Sequence, residues 1–83
     1  MNAATWVGYA AGTMTVIAFV PQVLKTWRSR SAADVSLAMY LIFAFGVFLW
    51  IVYGVVIHST PVVVANVATF LLASMMIIFK GLF

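Results

Sequence analysis

Three long stretches without a charged side chain, at 5–24, 35–57 and 62–79, constrain this chain more than any other feature. Each approaches or exceeds the ~20 residues that a helix needs to cross a bilayer, the third being the shortest. Two polar breaks separate them. The first, Lys25 to Asp34, holds four of the five charged residues, and the second, His58-Ser59-Thr60-Pro61, is a short turn. Pro61 suits the first turn of a following helix. Ser36 is placed to cap the second helix by accepting a backbone N–H. These signals predict an all-α membrane protein: residues 1–83 as one domain of three transmembrane helices.

Composition closes off the soluble alternatives. With 67% hydrophobic residues in 83 and a mean hydropathy of +1.26, the chain is too apolar for water. A soluble domain this short buries only part of its apolar surface. A lipid bilayer is the solvent that removes the problem. The net charge of +3 comes from residues too few and too clustered to indicate nucleic acid. Without cysteine there is neither a disulfide nor a thiolate metal site. No basic residue precedes the first apolar run, which argues against a cleaved signal peptide.

Orientation follows from the same charges. Three spans put the first break and the C-terminus on one side of the membrane. Lys25, Arg28, Arg30 and Lys80 then share that side, which the positive-inside tendency assigns to the cytoplasm of a cell's inner (plasma) membrane. The N-terminus and the His58 turn fall outside. Trp6, Tyr9 and Trp27 fit the interfacial aromatic belts.

Catalysis is poorly supplied. Asp34 is the one acid and sits beside arginines; His58 is the one histidine and has no acid partner nearby in sequence. No serine, histidine and acid set can be assembled, and no phosphate-cradling glycine loop is present. The chain is read as no enzyme, with no cofactor and no metal. The spans also lack the intramembrane ionisable residue that proton- or sodium-driven carriers use. A solute moved by this protein is therefore expected to be uncharged and to run down its own gradient.

Polar and aromatic residues inside the spans form a pattern. Met39, Phe43, Gly46, Trp50 and Tyr53 recur at steps of four, three, four and three, one stripe on the second helix. Such a stripe is commonly a packing surface. Trp50, however, lies seven residues inside the outer end, roughly 10 Å deep at 1.5 Å per residue. An indole N–H at that depth calls for a polar partner. Asn66, four residues into the antiparallel third span, lies at roughly 6 Å. A flat indole face and an amide at similar height suit a neutral polyhydroxylated ring, although a buried asparagine also serves simply to bond neighbouring helices.

Pro21-Gln22 sits late in the first span. Proline removes the hydrogen bond to the Ile17 carbonyl, and in hydrocarbon that carbonyl needs another partner. The pair is either a tolerated kink or a hinge. Gly8-x-x-x-Gly12 predicts close helix packing without naming the partner.

Pro21-Gln22, Arg28-x-Arg30-Ser31, Val35-Ser36, Trp50 and Asn66, in this order, resemble the bacterial SemiSWEET sugar transporters of the SWEET and PQ-loop family. The similarity covers nearly the whole chain. It implies a triple-helix bundle with the third helix between the other two, assembled as a parallel homodimer with one path along its axis. By that resemblance Trp50 and Asn66 line the sugar pocket, Pro21 and Gln22 form the hinge, Met39 and Phe43 lie near the inner gate, and Tyr53 near the outer gate. Some relatives carry charged residues beside the outer-gate tyrosine; here the sequence is Ile57-His58-Ser59. The function implied is facilitative transport of a small neutral sugar by alternating access. Two alternatives stay open: a PQ-loop-type carrier of amino acids or other small metabolites, and a non-transporting small membrane subunit.

Overall fold

The computed structural model describes residues 2–83 as three helices, α1 (Ala3–Ser29), α2 (Leu37–Val56) and α3 (Thr60–Leu82). The bundle measures 43 × 21 × 13 Å, long enough for a bilayer with its headgroups. All three helices are long and apolar enough to cross a membrane. The protein is an integral membrane protein. α3 packs against both α1 and α2, whose backbones do not approach each other.

Short polar side chains set the helix starts. Asn2 accepts from the Thr5 N–H at 2.9 Å, and Ser36 accepts from the Met39 N–H at 3.2 Å, as its sequence position predicts. The turn between α2 and α3 is a Schellman closure. His58 takes the left-handed conformation at φ 56°, its N–H reaches the Val55 carbonyl, and Ser59 N–H reaches Gly54. The histidine thus occupies a helix-ending position where glycine is usual. Pro61 stands in the first turn of α3, where a missing N–H is harmless.

α1 runs on past the first apolar stretch to Ser29, so Lys25 and Arg28 stand on helix and not in a loop. Lysine and arginine are good helix formers and favour a helix C-terminus. Arg30, left-handed at φ 55°, ends the helix by bonding back to Thr26. The helix also passes through Pro21 without a break.

Two kinds of packing hold the bundle. Toward the basic end, Val23, Tyr40, Ala44, Ala73, Met76 and Phe79 form a core of interlocking side chains. Toward the other end, small residues let backbones approach. A Cβ on Gly8 would lie 2.9 Å from Pro61, one on Gly12 would overlap Ala65, and one on Gly54 would lie 2.9 Å from Val62. The partner of the Gly8-Gly12 pair is therefore α3 of the same chain.

Candidate functional site

Since the backbones of α1 and α2 stay apart on either side of α3, a groove runs between them with α3 as its floor. One wall is Gly8, Ala11, Gly12 and Thr15 of α1, smooth because its side chains are small. The facing wall is Phe43, Val47 and Trp50 of α2. Ala65, Asn66 and Thr69 lie on the floor, and the groove holds about 370 Å³. It is lined by no charged or ionisable side chain.

Trp50 and Asn66, predicted to share a pocket, line this groove together. Trp50 is six residues from the end of α2 and Asn66 six from the start of α3, each about 9 Å from the turn. They do not bond to each other. Asn66 Nδ2 donates to the Val62 carbonyl of its own helix at 2.8 Å, while its Oδ1 accepts from no donor among the described residues. Trp50 is 55% exposed, with Tyr53 packed against it edge to face at 5.4 Å. The site offers an indole face, an amide oxygen and a flat wall opposite.

Below the groove a bar of side chains joins α1 to α2. Phe19 stacks on Phe43 at 5.7 Å, and Tyr40 donates its phenolic hydrogen to Gln22 Oε1 at 3.1 Å. Gln22 thus has a defined partner on α2. Beyond the bar opens a second, polar cavity of about 530 Å³, lined by Met39, Tyr40 and Gln22 and, nearer the basic end, by Lys25 and Asp34. Met39 lies on that side of the bar, Tyr53 on the opposite side of Trp50. Phe19 and Tyr40 escaped the sequence reading; their one signal was aromatic character within a turn of Pro21 and Phe43.

Much of the stripe on α2 is left uncovered by the chain's own helices, even where Phe43 and Trp50 line the groove. Met39, Phe43, Trp50 and Tyr53 are all exposed in the single chain. A Cβ added at Gly46, midway along, would meet nothing within 4 Å.

Residues 3–63 match the family described as PQ loop repeat. The sugar transporter SemiSWEET of Bradyrhizobium diazoefficiens is 39% identical over 74 residues, 89% of this chain and 86% of its own. The sugar transporter SemiSWEET of Escherichia coli is 40% identical over 67 residues, 81% of this chain and 75% of its own. Among solved structures, the crystal structure of a bacterial homologue of SWEET transporters superposes with a TM-score of 0.92 at 40% identity, covering 96% of both chains. That of SemiSWEET in the inward-open conformation gives 0.87 at 34% identity, covering 96% of this chain and 93% of the other.

Proposed function

The chain belongs to the PQ-loop family alongside the SemiSWEET proteins, and from that premise we propose that it carries a small neutral sugar across the membrane, down the sugar's gradient, by alternating access. The observation that carries this reading is the groove that holds Trp50 and Asn66 at one depth and no ionisable group. A sugar ring presents C–H groups on its faces and hydroxyls round its edge. The indole receives the face, and the Asn66 amide receives the hydroxyls. A charged substrate would be left unpaired there, at high free-energy cost.

Uptake into proteoliposomes tests the substrate class. Labelled neutral mono- and disaccharides are expected to enter saturably, while labelled amino acids stay at the level of protein-free vesicles. Amino-acid uptake exceeding that of every sugar would overturn the reading in favour of a metabolite carrier.

The path requires a second copy. A bundle 13 Å across its thin axis encloses no passage for a sugar, and the groove is open on the side of the α2 stripe. A parallel homodimer closes it symmetrically and brings two Trp50 and two Asn66 residues to one pocket. The basic residues gathered at one end support an inner-membrane orientation with that end and the C-terminus in the cytoplasm. Chemical cross-linking in membranes should trap dimers. Full transport by a monomer would refute this part.

Alternating access needs an element with two arrangements of similar energy. Pro21 leaves the Ile17 carbonyl without its helical partner next to the Phe19, Phe43, Tyr40 and Gln22 bar. The segment beyond it does not swing alone, because Val23 and Thr26 are buried and Trp27 packs on Phe79 at 5.6 Å. Bending at Pro21 would move the end of α1 together with the end of α3, parting Gln22 from Tyr40 and opening the inner side. Tyr53 beside Trp50 would be the counterpart at the outer side. Pro21→Ala restores a hydrogen bond of about 1 kcal/mol, so one state is favoured about five-fold and transport slows by about that factor. An unchanged rate, measured at equal protein, would leave Pro21 a tolerated kink.

A further inference from the structure

Of the four basic side chains, two are engaged within the chain. The Arg30 guanidinium lies 4.1 Å from the centre of the Trp27 ring and 5.7 Å from that of Phe83. The Lys80 ammonium donates to the Ala32 carbonyl at 2.9 Å. Lys25 and Arg28 are different. Both are exposed, and neither side chain bonds to another of the described residues.

These two stand one turn apart on α1 and share an open groove with Pro21, Leu24 and Ser29. The groove is turned away from the rest of the bundle. Counting 100° per residue, Pro21 and Arg28 point about 140–160° round the helix from Val23, which is buried in the core. Its two ends differ chemically. Leu24, 43% exposed, and the Pro21 ring make an apolar wall on the membrane side; the ammonium and guanidinium stand above it at the water boundary. Asp34 does not line this groove; it lies in the neighbouring polar cavity, which Lys25 and Ser29 also border.

A pair of free cations over an apolar wall, at the edge of a bilayer, complements one kind of amphiphile. We propose that Lys25 and Arg28 bind the phosphate of an anionic phospholipid whose acyl chains lie along Leu24 and Pro21. The guanidinium suits two phosphate oxygens at once and the ammonium supplies a further charge. The occupant would lie against the one residue of α1 that lacks a helical N–H, so its presence would bear on the angle of the helix. That consequence rests on the hinge reading; the binding itself does not.

Native mass spectrometry of the detergent-purified protein, titrated with short-chain phosphatidylglycerol and phosphatidylcholine, tests the site without any transport assay. The natural protein is expected to hold phosphatidylglycerol on the order of 10- to 30-fold more strongly. Lys25→Gln with Arg28→Gln should abolish the preference, and the exchange Lys25→Arg with Arg28→Lys should keep most of it. Arg30→Gln, removing an engaged charge, should leave it intact. The proposal fails if the double glutamine variant retains the preference. It also fails if Arg30→Gln lowers the preference as much, which would mean diffuse charge attraction, or if inorganic phosphate displaces the lipid at equal concentration, which would mean a simple anion site.

Discussion

Trp50→Ala and Asn66→Ala each bring sugar uptake close to background while the protein still folds and inserts. Loss of the indole removes the stacking face, and loss of the amide removes the hydrogen-bonding edge. Each contact is worth on the order of 1–3 kcal/mol, or about 5- to 150-fold in substrate interaction. In a symmetric dimer every change occurs twice in one pocket, so the losses compound. Folding should be spared for identifiable reasons. Trp50 is more than half exposed, and the one hydrogen bond of Asn66 stays within α3, where it fastens no neighbouring helix. Uptake measured at matched protein levels checks this. Natural rates in both variants would place the sugar site elsewhere.

Gly12→Val should damage the bundle itself. The position faces Ala65 so closely that even a single Cβ would overlap it, and Gly8 faces Pro61 in the same way one turn earlier. Valine adds two further methyl groups, which cannot fit unless α1 and α3 move apart. That movement would open the α1 wall of the groove and loosen the Gly8 contact as well. Overpacking of this kind costs about 1–3 kcal/mol. Gly81→Ala is the matched control, because a Cβ there meets nothing within 4 Å and alanine favours a helix. Thermal unfolding in detergent should show a midpoint lowered by several degrees for Gly12→Val and unchanged or raised for Gly81→Ala. Equal midpoints would mean that the close approach of α1 and α3 contributes little.

The same two positions illustrate how far the sequence could be read. The Gly8-Gly12 spacing announced a close contact, yet spacing describes one helix and cannot say which neighbour fills the gap; α3 does. The three apolar stretches located the helices, but hydropathy reports solvent preference and not helicity. It therefore stopped at Leu24, where α1 continues through Lys25 and Arg28 to Ser29. Trp50 and Asn66 were legible because depth follows from counting residues along antiparallel helices. Their lack of a mutual hydrogen bond was not, since the Val62 carbonyl is a nearer acceptor. The Tyr40–Gln22 bond joins residues 18 apart with no periodic relation, so nothing in the spacing pointed to it. His58 could be placed in a short turn, but its part in closing α2 at a left-handed φ leaves no mark on composition.

Uncoupled passage of a neutral sugar is the central claim, and the plateau of uptake into proteoliposomes tests it most directly. The groove offers no ionisable group through which a proton or sodium gradient could act. Labelled sugar should therefore fill the vesicles until inside and outside concentrations are equal, at a rate that ionophores leave unchanged and the Trp50→Ala variant abolishes. Accumulation above the outside concentration that collapses when a proton or sodium gradient is discharged would contradict the account.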